Sequence, residues 1–147
     1  MNIDMIRVAA QRLDGHARRT PLLDSPFLDD IAGRRVWVKP ECLQHTGSFK
    51  FRGGYSAVSA LDPATRKRGV IAYSSGNHAQ GVAYAAAQHG ISSVIVMPSD
   101  APKLKIENTR ALFFSNFVLT NAHQISLEHL LGEKHLFLDL SFFFQEI

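Results

Sequence analysis

A strand, a loop, a helix and a second strand follow one another between residues 69 and 98, and this order constrains the chain more than any other feature. Gly69-Val70-Ile71-Ala72-Tyr73 is a short apolar run rich in strand-forming types. Ser74-Ser75-Gly76-Asn77-His78 then interrupts it with turn formers and helix-capping residues. Ala79 to Gln88 is alanine-rich with few polar positions, and Gly90 stands where a helix end takes its cap. Ser93-Val94-Ile95-Val96-Met97 is a second apolar run, closed by Pro98. Strands joined through a helical crossover run parallel, and parallel sheets carry helices on their faces. The expected fold class is therefore α/β, an open parallel sheet with flanking helices.

The flanking segments read as further elements of the same layer. Ile3, Ile6, Val8, Ala9, Ala10 and Leu13 recur at helical spacing, so residues 3–14 are expected to form an amphipathic helix. Thr20-Pro21 marks an extended segment, because a residue before proline is pushed out of the helical region. Arg34 to Lys39 alternates like a half-buried strand that Pro40 stops, with Trp37 packing on the sheet or covering its edge. A loop through Gln44-His45-Thr46-Gly47 leads into a helix from Ser48 to about Leu61, and Pro102 precedes another from Lys103 to about Leu112.

The style changes after Leu112. Residues 113–147 contain no proline, no arginine, one glycine (Gly132) and one lysine (Lys134), yet hold seven of the ten phenylalanines. Phe142-Phe143-Phe144 are consecutive. No linker or low-complexity stretch separates the two parts. Residues 1–112 are read as one unit and 113–147 as a divergent tail, of the kind a frameshift produces, expected to pack poorly on the rest.

Composition excludes several classes. With 46% hydrophobic and 20% charged residues among 147, the chain has a globular balance. No apolar run reaches the roughly 18 residues of a membrane span, so no membrane partner is expected. The N-terminus carries Asp4 where a signal peptide would be basic, and a cytoplasmic location is expected. The lone Cys42 forms no internal disulfide and is read as a small buried residue. The net charge of +3 is spread over short clusters without any nucleic-acid motif, so no nucleic-acid partner is expected. His16, His45, His89, His123, His129 and His135 show no ligand spacing, and no metal is expected.

Two constellations carry chemistry. The first is Glu41-Cys42-Leu43-Gln44-His45-Thr46-Gly47-Ser48-Phe49-Lys50-Phe51-Arg52-Gly53-Gly54. A lysine in the first turn of a helix sits at the end that disfavours cations, and a neutral amine or imine suffers less there. Such an amine is a nucleophile; Phe49 offers it an apolar face, and the glycines permit close backbone approach. The second is Ser74-Ser75-Gly76-Asn77-His78, between strand and helix at the carboxyl end of a parallel strand, where open sheets bind ligands. Its N–H groups suit an anion, although an ordinary helix cap uses the same residue types.

Taken in order and spacing, Thr46-Gly47-Ser48-Phe49-Lys50 with Arg52-Gly53, followed by Ser75-Gly76-Asn77-His78-Ala79-Gln80-Gly81, resembles the fold-type II pyridoxal-phosphate (PLP) enzymes. Within them it is most similar to the threonine dehydratase and serine racemase branch, since Phe51-Arg52 stands where cysteine synthases have Asp-Arg. The resemblance runs from about Thr20 to Leu112. It implies that Lys50 holds pyridoxal 5'-phosphate through a Schiff base, that Phe49 lies against the ring and that Asn77 bonds its phenolic oxygen. It further implies that Ser75, Gly76, Asn77 and His78 hold the substrate carboxylate, with Ser75 as the acid or base opposite the catalytic Lys50. The implied reaction converts threonine or serine, a small amino-acid substrate, to a 2-keto acid and ammonia. The resemblance allows for a homo-oligomer in full-length relatives. Such relatives are about twice as long and anchor the phosphate on a downstream glycine-rich loop. No stretch after Leu112 holds two glycines, so the alternative expectation is a truncated, catalytically inactive part of such an enzyme.

Overall fold

The structure, a computed structural model, describes residues 2–112, 116–120 and 136–137. Helix α1 (Ile3–Leu13) opens the chain, with Asn2 accepting a bond from the Met5 N–H at its start. Strand β1 (Leu23–Asp24), helix α2 (Pro26–Ala32) and strand β2 (Trp37–Val38) follow. Helix α3 (Lys50–Ala60) and the short α4 (Pro63–Lys67) lead to strand β3 (Val70–Tyr73). Helix α5 (Asn77–Gln88), strand β4 (Ser93–Pro98), helix α6 (Lys103–Ala111), strand β5 (Asn116–Thr120) and strand β6 (Leu136–Phe137) complete the described elements.

The main sheet has the order β5-β4-β3-β6, and each neighbouring pair is parallel. Ile71 stands opposite Val94 and Tyr73 opposite Val96, with α5 crossing between the two strands. The expected βαβ unit is present. Both faces of these strands are buried. Val70, Ala72, Ile95 and Met97 join α3 and α5 in one cluster, while Ile71, Val94 and Val96 form a second on the opposite side. That two-sided burial is why the strands read as unbroken apolar runs rather than alternating ones.

Two expectations are corrected. The segment around Trp37 does not join the main sheet: β2 pairs antiparallel with β1 in a separate two-stranded ribbon. Trp37 is 56% exposed, with the Arg35 guanidinium 5.1 Å above its ring. Alternation in Arg34 to Lys39 marks faces of a strand but says nothing about which strand it pairs with. Cys42 is exposed rather than buried, because it lies on a short 3-10 turn outside the core. Strands β5 and β6 fall inside the stretch read as a divergent tail, where β5 extends the sheet beside β4. The expected exposure of Phe142-Phe143-Phe144 concerns positions outside the described residues. Among the described residues no helix is long and apolar enough to cross a membrane.

Helices α3 and α5 approach each other backbone to backbone. A Cβ added at Gly81 would lie 2.8 Å from the Lys50 carbonyl carbon and 3.0 Å from the Phe51 nitrogen. One added at Gly54 would lie 2.9 Å from the Gly81 oxygen. Alanine in a helix ordinarily gains about 1 kcal/mol over glycine. Overpacking against a backbone that cannot step aside costs about 1–3 kcal/mol, so the clash wins. Gly81→Ala is expected to lower unfolding free energy by about 2 kcal/mol in urea titration, where an isolated helix would gain stability.

Candidate functional site

The lysine loop is built under strain. Thr46 has φ 60 and ψ 14, a left-handed conformation that a β-branched residue rarely takes, and Gly47 follows at φ 69. A strained residue of this kind costs about 1–3 kcal/mol and persists only where its surroundings over-determine it. Gln44 supplies part of that hold. Its buried amide accepts from the Arg18 N–H at 2.9 Å, donates to the Arg18 carbonyl at 2.8 Å and also accepts from the His45 N–H. The His45 ring meets Phe51 edge-on at 4.9 Å and Tyr84 at 5.2 Å. Burial, aided by the nearby Arg18 charge, holds His45 below the ordinary imidazole range.

A second clamp fixes the first turn of α3. Arg52 donates to both oxygens of Glu41, from Nε at 2.7 Å and from Nη2 at 2.8 Å. The Thr20 hydroxyl donates to the same carboxylate at 2.6 Å, and Arg52 also reaches the Arg18 carbonyl at 3.1 Å. Lys39 Nζ donates to the Thr20 carbonyl at 3.0 Å. Arg52 lies two positions after Lys50, so this network ties the lysine's turn to the segment at Arg18–Thr20. The bidentate Arg52 contact, reinforced by Thr20, holds Glu41 below the ordinary carboxylate range. In the sequence Glu41 and Arg52 are members of the lysine constellation with no local sign of this partnership, and Thr20 and Gln44 carry no visible signal as partners.

Lys50 opens α3 and is half-buried; its amine is 5.0 Å from the centre of the Phe49 ring, which is 45% exposed. The hydroxyls of Thr46 and Ser48 are buried and have no hydrogen-bond partner among the described residues. Ser75 and Asn77 are exposed, and Gly76 and His78 half-buried, at the end of β3 and start of α5. The loop is tied down by its own backbone: Ser74 N–H donates to the Val96 carbonyl at 3.0 Å, and Gly76 N–H to the Ser74 hydroxyl at 3.2 Å. Gly81 is one turn beyond Asn77 and lies against the Lys50 backbone. The glycine contact therefore sets the start of α3 beside the first two turns of α5. The sequence did not single out Lys105, whose ammonium sits at the Gly76 turn. Among the described residues no group of His, Cys, Asp and Glu is placed to hold a metal ion.

Comparison with known proteins gives a consistent picture. The family model described as pyridoxal-phosphate dependent enzyme matches residues 13–119. The chain is 47% identical over 136 residues to an L-threo-3-hydroxyaspartate ammonia-lyase of a Pseudomonas species, covering 90% of this chain and 42% of that protein. It is 46% identical to an L-threonine ammonia-lyase of Thermotoga maritima, covering 76% of this chain and 28% of the relative. The structure of maize serine racemase superposes with a TM-score of 0.80 at 38% identity, covering 88% of this chain and 39% of that one. The chain thus spans less than half the length of these relatives.

A folded-state pKa held below 4.5 makes the Glu41 contribution full above about pH 5 and lost as pH falls through the depressed value. Urea midpoints measured from pH 7 to pH 3 are expected to fall more steeply below pH 5 in the wild type than in Glu41→Gln. At pH 7 the variant is expected to be less stable by about 2 kcal/mol, because Arg52 keeps its charge without its partner.

Proposed function

The chain belongs to the pyridoxal-phosphate dependent enzyme family, and we propose that it carries the lysine and carboxylate-loop portion of a site for a β-hydroxy amino acid, threonine or serine. The observation that carries this reading is the glycine contact between α3 and α5, which brings the turn of Lys50 against the helix that Asn77 begins. The residues present fit PLP. They offer a primary amine for its aldehyde, an exposed aromatic ring beside that amine, and two buried hydroxyls without protein partners among the described residues.

In this reading Lys50 would hold the cofactor, with Phe49 beside its ring and Asn77 as the partner of its phenolic oxygen. Bound PLP supplies an electron sink for negative charge at the substrate Cα. Lys50 would take the Cα proton at Nζ. Ser75, Gly76, Asn77 and His78 receive the substrate carboxylate, where N–H groups and the dipole of α5 favour an anion. Ser75 holds or gives a proton on the face opposite Lys50. The β-hydroxyl leaves as water and one water is consumed in hydrolysis, so threonine yields 2-oxobutanoate and ammonium in balance. The names of the relatives, which act on hydroxyaspartate, threonine and serine, support the substrate class without selecting its member.

A second reading, a catalytically silent portion of such an enzyme, is favoured by the 42% span and by the lack of a glycine cluster after Leu112. Phosphate anchoring normally provides several charge-assisted hydrogen bonds of about 1.5–3 kcal/mol each. With excess PLP, borohydride is expected to fix the cofactor preferentially on Lys50, as read by peptide mass spectrometry. Keto-acid formation from L-threonine or L-serine is expected to stay at the level of the Lys50→Ala blank. Lysine-dependent turnover above that blank would restore an autonomous enzyme; labelling spread evenly over the lysines would remove the site.

A further inference from the structure

We infer that Lys105 is a binding residue for the substrate carboxylate, lending an ammonium to the Ser75–His78 loop; the inference rests on the reading of that loop given above. Lys105 lies in the first turn of α6 and is half-buried. Its Nζ would be 3.0 Å from a Cβ added at Gly76, with Cδ and Cε at 3.7 and 3.9 Å. The lysine side chain thus fills the space that a side chain at position 76 would take. Gly76 has φ -157 and ψ -133, neither helical nor regular extended backbone, and a Cβ there would meet the Lys105 ammonium.

Electrostatics sharpens the placement. The N-terminal end of α5 is already the positive end of a 12-residue helix, and an ammonium beside it is repelled unless an anion joins them. Within α6 an ion pair joins Lys103 to Glu107, one turn apart, and Lys105 pairs with no carboxylate among the described residues. The backbone of Lys105 is fixed at both ends: its N–H donates to the Pro102 carbonyl at 2.8 Å, and its carbonyl accepts from the Thr109 hydroxyl at 2.7 Å. Two positive groups held together at the mouth of one loop suit a carboxylate better than either does alone.

The test uses the 147-residue chain without PLP, so that it does not depend on a loaded enzyme. L-threonine is titrated while the backbone amide signals of Ser75 to His78 are followed by NMR, with L-threoninamide as the uncharged-end control. The wild type is expected to respond to L-threonine and not to the amide. Lys105→Gln is expected to raise the dissociation constant about tenfold, the scale of one charge-assisted hydrogen bond. Lys105→Arg is expected to keep most of the affinity. Gly76→Ala, which displaces only the far end of a flexible side chain, is expected to weaken binding in the same direction. An unchanged constant in Lys105→Gln, with the loop still responding, would overturn the inference and leave the loop reading intact. Loop amides silent to L-threonine in the wild type would overturn both.

Discussion

The contact between the backbones of α3 and α5 is the constraint on which the rest depends. Gly54 and Gly81 lack the Cβ atoms that would hold the helices apart, and Gly81 rests on the Lys50 carbonyl itself. Alanines at 79, 83, 85 and 86 keep the remaining surface of α5 thin, so one helix packs against both α3 and the sheet. Close approach of this kind exchanges side-chain volume for precision. The first turn of α3 is placed by backbone atoms, which have no rotamers to relax.

Placement of the lysine's turn also requires that the loop before it hold an unfavourable shape. Thr46 and Gly47 both take left-handed conformations, and the Gln44 amide with the Glu41–Arg52 pair braces the chain on either side. Neither brace touches the Lys50 amine through the bonds described. They act through the backbone, and so over-determine the left-handed turn at Thr46 and Gly47. The β3–α5 loop is held differently, by the register of the sheet, since Ser74 continues the ladder to Val96 before the chain turns.

What the sequence disclosed follows from range. Strands β3 and β4 and helix α5 were legible because buried apolar runs and glycine or proline punctuation are local signals. The parallel pairing followed from the crossover length. Lys50 and the Ser75–His78 loop were legible as residue types at helix starts, and the glycines at 53 and 54 as a place of close approach. The partner of that approach was Gly81, and nothing local joins two positions 27 apart in this way. The same limit hid the partnership of Glu41 with Arg52 and Thr20, and it misplaced Trp37, whose alternating neighbours do not reveal the ribbon partner β1. Strand β5, which pairs with β4, is not legible because residues 113–120 carry none of the glycine or proline punctuation that frames the earlier strands.

The central claim is that glycine at 81 seats α5 on the backbone of Lys50. The most direct measurement is a through-space proton correlation spectrum of the 147-residue chain, recorded for the Gly81 α-protons. An ideal Cβ there lies 3.0 Å from the Phe51 nitrogen, so strong cross-peaks from a Gly81 α-proton to the Phe51 amide proton are predicted. Their absence, with Gly81 α-protons correlating only within α5, would contradict the account.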